Sequence, residues 1–561
     1  MPLKPIFDKA PLTVMNAHPL RAGLVRSDSV VMAKVYGMIA NASSPLALEG
    51  AFRLACVVCS KPGEEPCAAK IRALLDTQNE DGSFAMTFKE SIAVLRAAWV
   101  LYEYEARKPI LEHIGRWCAY AAKNWDALMA DDDVWASPAD LLELLENLYR
   151  VTGKAAVLSL CENVTAQTMN WAGVLNTISS KRPTSKAVTN AEIDAGLARE
   201  QGGRDGYYAH FLRTNHAESL ADGARSTMAK GWFSGSATEL HAAQNGWEKL
   251  YRHHGAVCGG LTSDELLEGT SPAAGISTAA LGAWAEALAS AAMGDDASWA
   301  YAALERMFFN AMPACVQGDH LLTIQHVNTL TADAELSGCF RVQNDHAERS
   351  LIRLARGYAA VASAAVAARP DGAAVNMYLP GRYAVPVEDE VIVLAMGAAG
   401  KAMSIKLHCK KELKAALRLR MPEWSRNTEV LVNGADHHLE VKNGMMTIER
   451  TWHDGDEITL AFDQSLIVVE GHHQGKAVLR GPVLMAMPAD DAWRQAFAAA
   501  TTRENHVICT LEGIEEWKAA GNIPADIPVL PQTNGVQREA LLTPYAKTPA
   551  RISLFPGRKQ A

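Results

Sequence analysis

Up to about residue 370 the apolar residues recur three and four apart, the period of helices that bury one face. Ser137-Pro138-Ala139-Asp140 sets a cap hydroxyl, a proline at the first helical position and an acid in the first turn, so a helix is expected to start there. Leu141, Leu145 and Leu148 then share a face, and Gly153 supplies the stop. A second helical run begins within a few residues. The same grammar returns over residues 284–293, the turn Gly294-Asp295-Asp296, and residues 299–312. Antiparallel helix pairs repeated in this way predict an α/α toroid or solenoid.

Beyond Asp371 the pattern changes to short β-type runs: Val375-Asn376-Met377-Tyr378-Leu379, Glu429-Val430-Leu431-Val432 and Glu457-Ile458-Thr459-Leu460-Ala461-Phe462. Asn433-Gly434, Asn443-Gly444 and Asp454-Gly455 supply hairpin turns between them. The expected fold is mainly α with β, an (α/α)6 toroid followed by a β-sandwich. Residues 1–370 form the toroid and carry the catalysis, with the first 30 or so packing on the sandwich. Residues 371–490 form the sandwich, and 491–561 a mixed segment joining a second one, with a helix over 514–520.

Composition narrows the classes of function. Of 561 residues, 49% are hydrophobic and 21% charged, a globular balance. The net charge of −9, with no Lys/Arg stripe, argues against a nucleic-acid partner. Met1-Pro2-Leu3-Lys4-Pro5 lacks a signal peptide's apolar core, and no run approaches the roughly 18 apolar residues that span a bilayer, so a cytoplasmic protein without a membrane partner is expected. Ten cysteines are scattered; Cys56 and Cys59 form one CxxC, but it sits in an apolar run that reads as a buried helix face. Homo-oligomerisation stays open.

Four polar segments fall where loops between helices converge on a toroid's cavity. Residues 74–84, closed by Gly82, read as a polar turn. Asn215-His216-Ala217-Glu218 offers an imidazole suited to a sugar hydroxyl or to acid/base work, or else to a structural hydrogen bond. His253-His254-Gly255 leads to Gly259-Gly260-Leu261-Thr262-Ser263-Asp264-Glu265, where glycines permit close approach and Asp264, Glu265 and Glu268 bring carboxylates. Glycoside hydrolysis commonly uses two carboxyl groups, but neighbours on a helix diverge by about 100°, so Asp264 and Glu265 are not a natural pair. The last segment, Gly338-Cys339-Phe340-Arg341-Val342-Gln343-Asn344-Asp345-His346, holds a thiol that is either a nucleophile or a small buried residue.

In these segments the chain resembles the β-L-arabinofuranosidase family of glycoside hydrolases, family 127. His254-Gly255 through Gly260-Leu261-Thr262-Ser263-Asp264-Glu265-Leu266-Leu267-Glu268-Gly269-Thr270-Ser271-Pro272 is similar to that family's "HG…G-x-x-S-D-E-x-L-x-G-x-x-P". Leu304-Glu305-Arg306-Met307-Phe308-Phe309-Asn310-Ala311-Met312-Pro313 resembles "LER-x-x-F-N-A-L-P", and Gln325-His326-Val327-Asn328 its "Q-x-x-N". Asp371-Gly372, Val375-Asn376, Leu417-Arg418, Val432-Asn433-Gly434, Arg450-Thr451-Trp452 and Arg480-Gly481-Pro482 continue the resemblance in order. It implies a helical toroid with β-sandwich appendages and a small carbohydrate substrate. It also implies a zinc held by a Glu and cysteines, the first of a Cys-Cys pair being the nucleophile and the Glu the acid/base. Here the corresponding stretch, Ala274-Gly275-Ile276-Ser277-Thr278-Ala279-Ala280, has neither Glu nor Cys, and the pair reads Cys339-Phe340. Zinc, and with it any cofactor, is therefore disfavoured.

The leading expectation is an exo-acting glycosidase with relocated machinery. Its catalytic groups are sought among Glu265, Asp264, Cys339, Asp345 and Glu348. Substrate is gripped by His216, His254, Asn328, Asn344 and Tyr208. One alternative is a uronate lyase using Tyr207, Tyr208, His210 and Arg213; another is a sugar-binding protein without turnover.

Overall fold

The computed structural model describes residues 17–555, apart from 179, 201–205, 273, 295–296, 325, 329–339, 343–346, 400–401, 439, 472–474, 489–507, 511–526, 534–535, 538–539 and 549–550. Twelve of the described helices alternate between an outer and an inner ring. The outer ring is α1 (Val30–Ile39), α3 (Pro66–Leu75), α5 (Lys108–Lys123), α7 (Ala155–Gln167), α9 (Ala237–His254) and α11 (Ser298–Arg306). The inner ring is α2 (Pro45–Val58), α4 (Phe88–Glu105), α6 (Ala139–Thr152), α8 (Ala217–Ser234), α10 (Thr278–Ala291) and α12 (Ala347–Ala365). Each inner helix packs on the next and α12 returns to α2, so the ring closes as an (α/α)6 toroid. Outer helices are amphipathic; inner ones are buried nearly all round, as α10 is from Thr278 to Ala289. The inner contact of α10 with α12 is the tightest, because a Cβ at Gly282 would lie 2.2 Å from the backbone of Arg353.

The start of α6 lies one residue later than expected: Pro138 rather than Ser137 is the N-cap, and no side chain caps it. Gly153 ends α6 at φ 63°, and Thr87 and Glu90 close a reciprocal capping box on α4. Residues 299–312 depart from the expected single helix: Met307–Ala311 widens into a π turn. No described helix is long and apolar enough to cross a membrane.

Two sheets form the sandwich. One orders His18–Pro19, Val366–Arg369, Gly372–Val375, Leu413–Arg420, Met445–Trp452 and Val441–Lys442; the other runs from Ala435–Asp436 through Glu457–Ala461 and Gly381–Val387 to Val25–Ser27. Residues near the N-terminus thus edge both sheets. Asn433-Gly434 and Asn443-Gly444 adopt positive φ at both positions, as tight hairpins between right-twisted strands require. The run expected as a strand over 375–379 stops at Val375, because Asn376 and Met377 both donate backbone N–H groups to Ala365 O at the end of α12. A further sheet begins at Leu466, inside the stretch expected to close at 490, and orders Leu466–Glu470, Lys476–Arg480, Val483–Pro488, Ala540–Pro544, Ile527–Thr533 and Ile508–Thr510. The helix expected over 514–520 lies outside the described residues.

Residues 304–313 dock the toroid onto both β units. Glu305, buried at the end of α11, pairs with the buried Arg420 at 2.5 Å and accepts from Trp424 Nε1 at 3.1 Å. Asn310, in the π turn, donates to Pro482 O at 3.0 Å and accepts from Leu484 N at 2.7 Å.

Candidate active site

The N-terminal ends of the inner helices open on an axial cavity of about 440 Å3. Its wall includes Ser137 and Asp140 before and on α6, Glu218, Ser219 and Asp222 on α8, and Glu348, Arg349, Arg353 and Arg356 on α12. The spacings are helical: Glu218 and Asp222 are four apart, and Arg349, Arg353 and Arg356 form one stripe, so each set faces the axis. Arg353 Nε lies 2.7 Å from Glu218 and its Nη2 2.5 Å from Asp222, while Arg349 Nη2 is 2.8 Å from Glu218.

Below these pairs the axis is filled by charge. Arg356 meets Asp140 at 2.7 Å and Glu286 at 2.9 Å; Arg225 meets Glu143 at 2.6 Å and Asp140 at 2.8 Å; Arg96 meets Glu49 and Glu143, each at 2.7 Å. This plug separates the cavity from a smaller chamber of about 210 Å3 at the opposite end of the ring. Burial works to raise the carboxyl of Glu218, but Arg353 and Arg349 override it and hold it down to about 2. Asp140 is likewise held well below the carboxylate range by Arg356, Arg96 and Arg225 against the effect of burial. These paired acids are therefore held as anions and are poor proton donors. Sequence reading missed them, although single carboxylates such as Glu49 and Glu286 inside otherwise apolar helices were the available signal.

His216 and the Asp264–Glu265 segment meet beside the cavity, next to its wall residue Ser219, without themselves lining it. His216 is the N-cap of α8: its Nδ1 accepts from Ser219 N at 3.3 Å and lies 3.2 Å from Ser219 Oγ. Burial favours its neutral form, against the pull of Glu218 and Glu265. Asp264 and Glu265 are not helical; they lie in a tight hairpin pairing Ser263 with Leu267, with Glu265 at the tip at φ 67°. That hairpin docks on His216 through a bridge to Leu266 and a bond from Ala217 N to Glu265 O at 3.0 Å. Asp264 and Glu265 are exposed, as is Glu348 on the cavity wall. Among the described residues neither Glu265 nor Glu348 has a side-chain partner.

Other candidates take structural places. His254 is fully buried, with Nε2 3.0 Å from Ser180 O and Nδ1 accepting from Gly269 N at 2.9 Å, so it has no nitrogen left for a sugar. Asn328, also fully buried, donates to Leu554 O at 2.7 Å and accepts from Ser553 N at 2.7 Å, pinning the C-terminal segment. Tyr208 belongs to a peripheral helix, Tyr207–Asn215, and packs on Tyr207 and beneath Gly196. That helix's Tyr207, Tyr208, His210 and Arg213 do not line the cavity, so the lyase constellation is not assembled there. Cys339, Asn344 and Asp345 lie outside the described residues.

In the stretch where a Glu and a Cys are expected, Ser277 caps α10 and Thr278 donates to Leu322 O at 2.8 Å, followed by buried Ala279 and Ala280. Among the described residues no three His, Cys, Asp or Glu side chains gather as metal ligands.

Residues 372–464 match the family described as the β-L-arabinofuranosidase GH127 middle domain. Among curated proteins none matches significantly in sequence. Solved structures match across the whole length. A glycoside hydrolase superposes with a TM-score of 0.68 at 13% identity, covering 97% of this chain and 98% of that one. A GH127 β-L-arabinofuranosidase from Geobacillus stearothermophilus T6 gives 0.60 at 15% identity, covering 94% of each. A further GH127 β-arabinofuranosidase gives 0.56 at 16%, covering 97% and 98%. Residues 372–464 thus match the GH127 middle-domain family, in a chain whose fold from end to end is like that of solved GH127 glycoside hydrolases.

Proposed function

We propose that this protein is a glycoside hydrolase acting on a small glycoside, with an arabinofuranoside as the first substrate to try, bound in the axial cavity. The observation that carries this reading is a polar cavity of about 440 Å3, monosaccharide- to disaccharide-sized, at the inner-helix N-termini. The Arg–carboxylate plug closes its floor, so only the end of a sugar chain enters, which supports exo action. With Glu218 and Asp140 held as anions, this reading gives acid/base work to Glu348 on the cavity wall and to Glu265 on the adjoining hairpin, and the orienting of a hydroxyl to His216. The described cysteines are all free thiols, which supports a reducing, cytoplasmic setting.

A panel of p-nitrophenyl glycosides tests the assignment. Turnover in wild type and a 10²–10⁴-fold lower kcat/KM in the Glu265→Gln/Glu348→Gln double variant, with unchanged melting, is the expected result, on the order of what one acid/base group contributes. Wild-type rates in that variant refute the role of these carboxylates. The pairing of every buried acid on the axis favours one second reading, a sugar-binding protein without turnover. It predicts thermal stabilisation by the sugar and no release of p-nitrophenol.

A further inference from the structure

Residues 304–313 leave one polar side chain unexplained. Glu305 and Asn310 dock the β units, whereas Arg306 between them has no ion pair or side-chain hydrogen bond among the described residues. Arg306 is half-buried and lines a cavity of about 520 Å3 between the outer wall of the toroid and the sheet that begins at Leu466. Tyr251 and Arg252 of α9, Thr262, Glu470 and Leu554 contribute to the same wall. Arg306 faces inward: its charge is felt at the Tyr251 phenol and the Cys258 thiol, where it opposes the upward push of burial.

The other charges on this wall have ordinary reasons to be there. Arg252 is exposed in the last turn of α9, where a cation complements the helix dipole. Glu470 is exposed at the end of its strand. Arg306 is partly withdrawn from water and has no carboxylate within ion-pair distance among the described residues, so its guanidinium is free to meet an anion entering the cavity. A guanidinium presents a planar fork that suits carboxylate and phosphate oxygens.

We propose that this interdomain cavity binds a small molecule through an oxyanion, a carboxylate or a phosphate, gripped by Arg306 and attracted by Arg252. The site is separate from the axial cavity and does not depend on the glycosidase reading. Calorimetric titration of the full chain at low ionic strength, with inorganic phosphate in one arm and glucuronate in the other, tests it. Binding in at least one arm, in the millimolar range or tighter, is expected. Arg306→Gln is expected to weaken it about tenfold or more, as loss of a charge-assisted hydrogen bond implies, with partial recovery in Arg306→Lys. Phosphate binding alone identifies a free or esterified phosphate, and glucuronate binding alone an acidic sugar; either supports the site. Arg252→Gln, at an exposed position, provides a second variant should Arg306→Gln misfold, and is expected to weaken binding more at low salt than at high. Absence of binding in both arms, or equal binding by wild type and Arg306→Gln, overturns the proposal.

Discussion

Replacing Asn328 by alanine is expected to destabilise the fold by on the order of 3 kcal/mol, because it strands several buried groups at once. Its amide holds Ser553 N, Ser553 Oγ and Leu554 N on one oxygen and Leu554 O on its nitrogen. Urea unfolding measures the loss, and KM for any glycoside stays unchanged; a raised KM with unchanged stability restores Asn328 as a sugar-gripping residue. His254 teaches the same lesson, its ring spanning Ser180 O and Gly269 N. Both residues were visible in the sequence as polar groups in a glycine-rich or motif-like setting. What the sequence did not disclose is that their partners are backbone groups, separated in His254 by up to 74 positions and in Asn328 by 226. Chemistry is legible in a residue type; the partner that consumes it is supplied by the fold.

At the scale of elements, α11 and its π turn act as the clasp between toroid and β units. Glu305→Ala leaves Arg420 buried without its carboxylate, and breaking such a pair costs about 3–5 kcal/mol. The expected sign is a lower urea midpoint, together with faster proteolysis between the toroid and the sandwich; an unchanged midpoint rejects the clasp. Helix stops, such as the Gly153 exit, and the two Asn-Gly hairpins were legible because they depend on local backbone chemistry, while the start near Ser137-Pro138 was legible only to within a residue. The Asp264–Glu265 hairpin was not, since its conformation is imposed by docking on His216 and α8. The π turn escaped for a similar reason: Asn310 reaches across to residues 482 and 484.

The whole molecule is organised around charge on the toroid axis. Ordered motifs made the architecture readable, but the axial network was hidden because its members come from all six inner helices. Acid tests its weight. Glu218, Asp140 and Glu49 all have carboxyls lowered in the folded state, so they contribute stability above the unfolded value near 4 and lose it as pH falls toward about 2. The melting temperature is expected to hold from about pH 7 to 5 and then to fall steeply; equal melting at pH 7 and about pH 3 means the network adds nothing. The central claim, that sugar is processed in the axial cavity, is tested most directly by Ser219→Trp, which fills the rim while leaving the backbone N–H bonded to His216. Glycoside turnover by wild type and its loss in a normally melting Ser219→Trp is the predicted result; undiminished turnover in that variant contradicts the account.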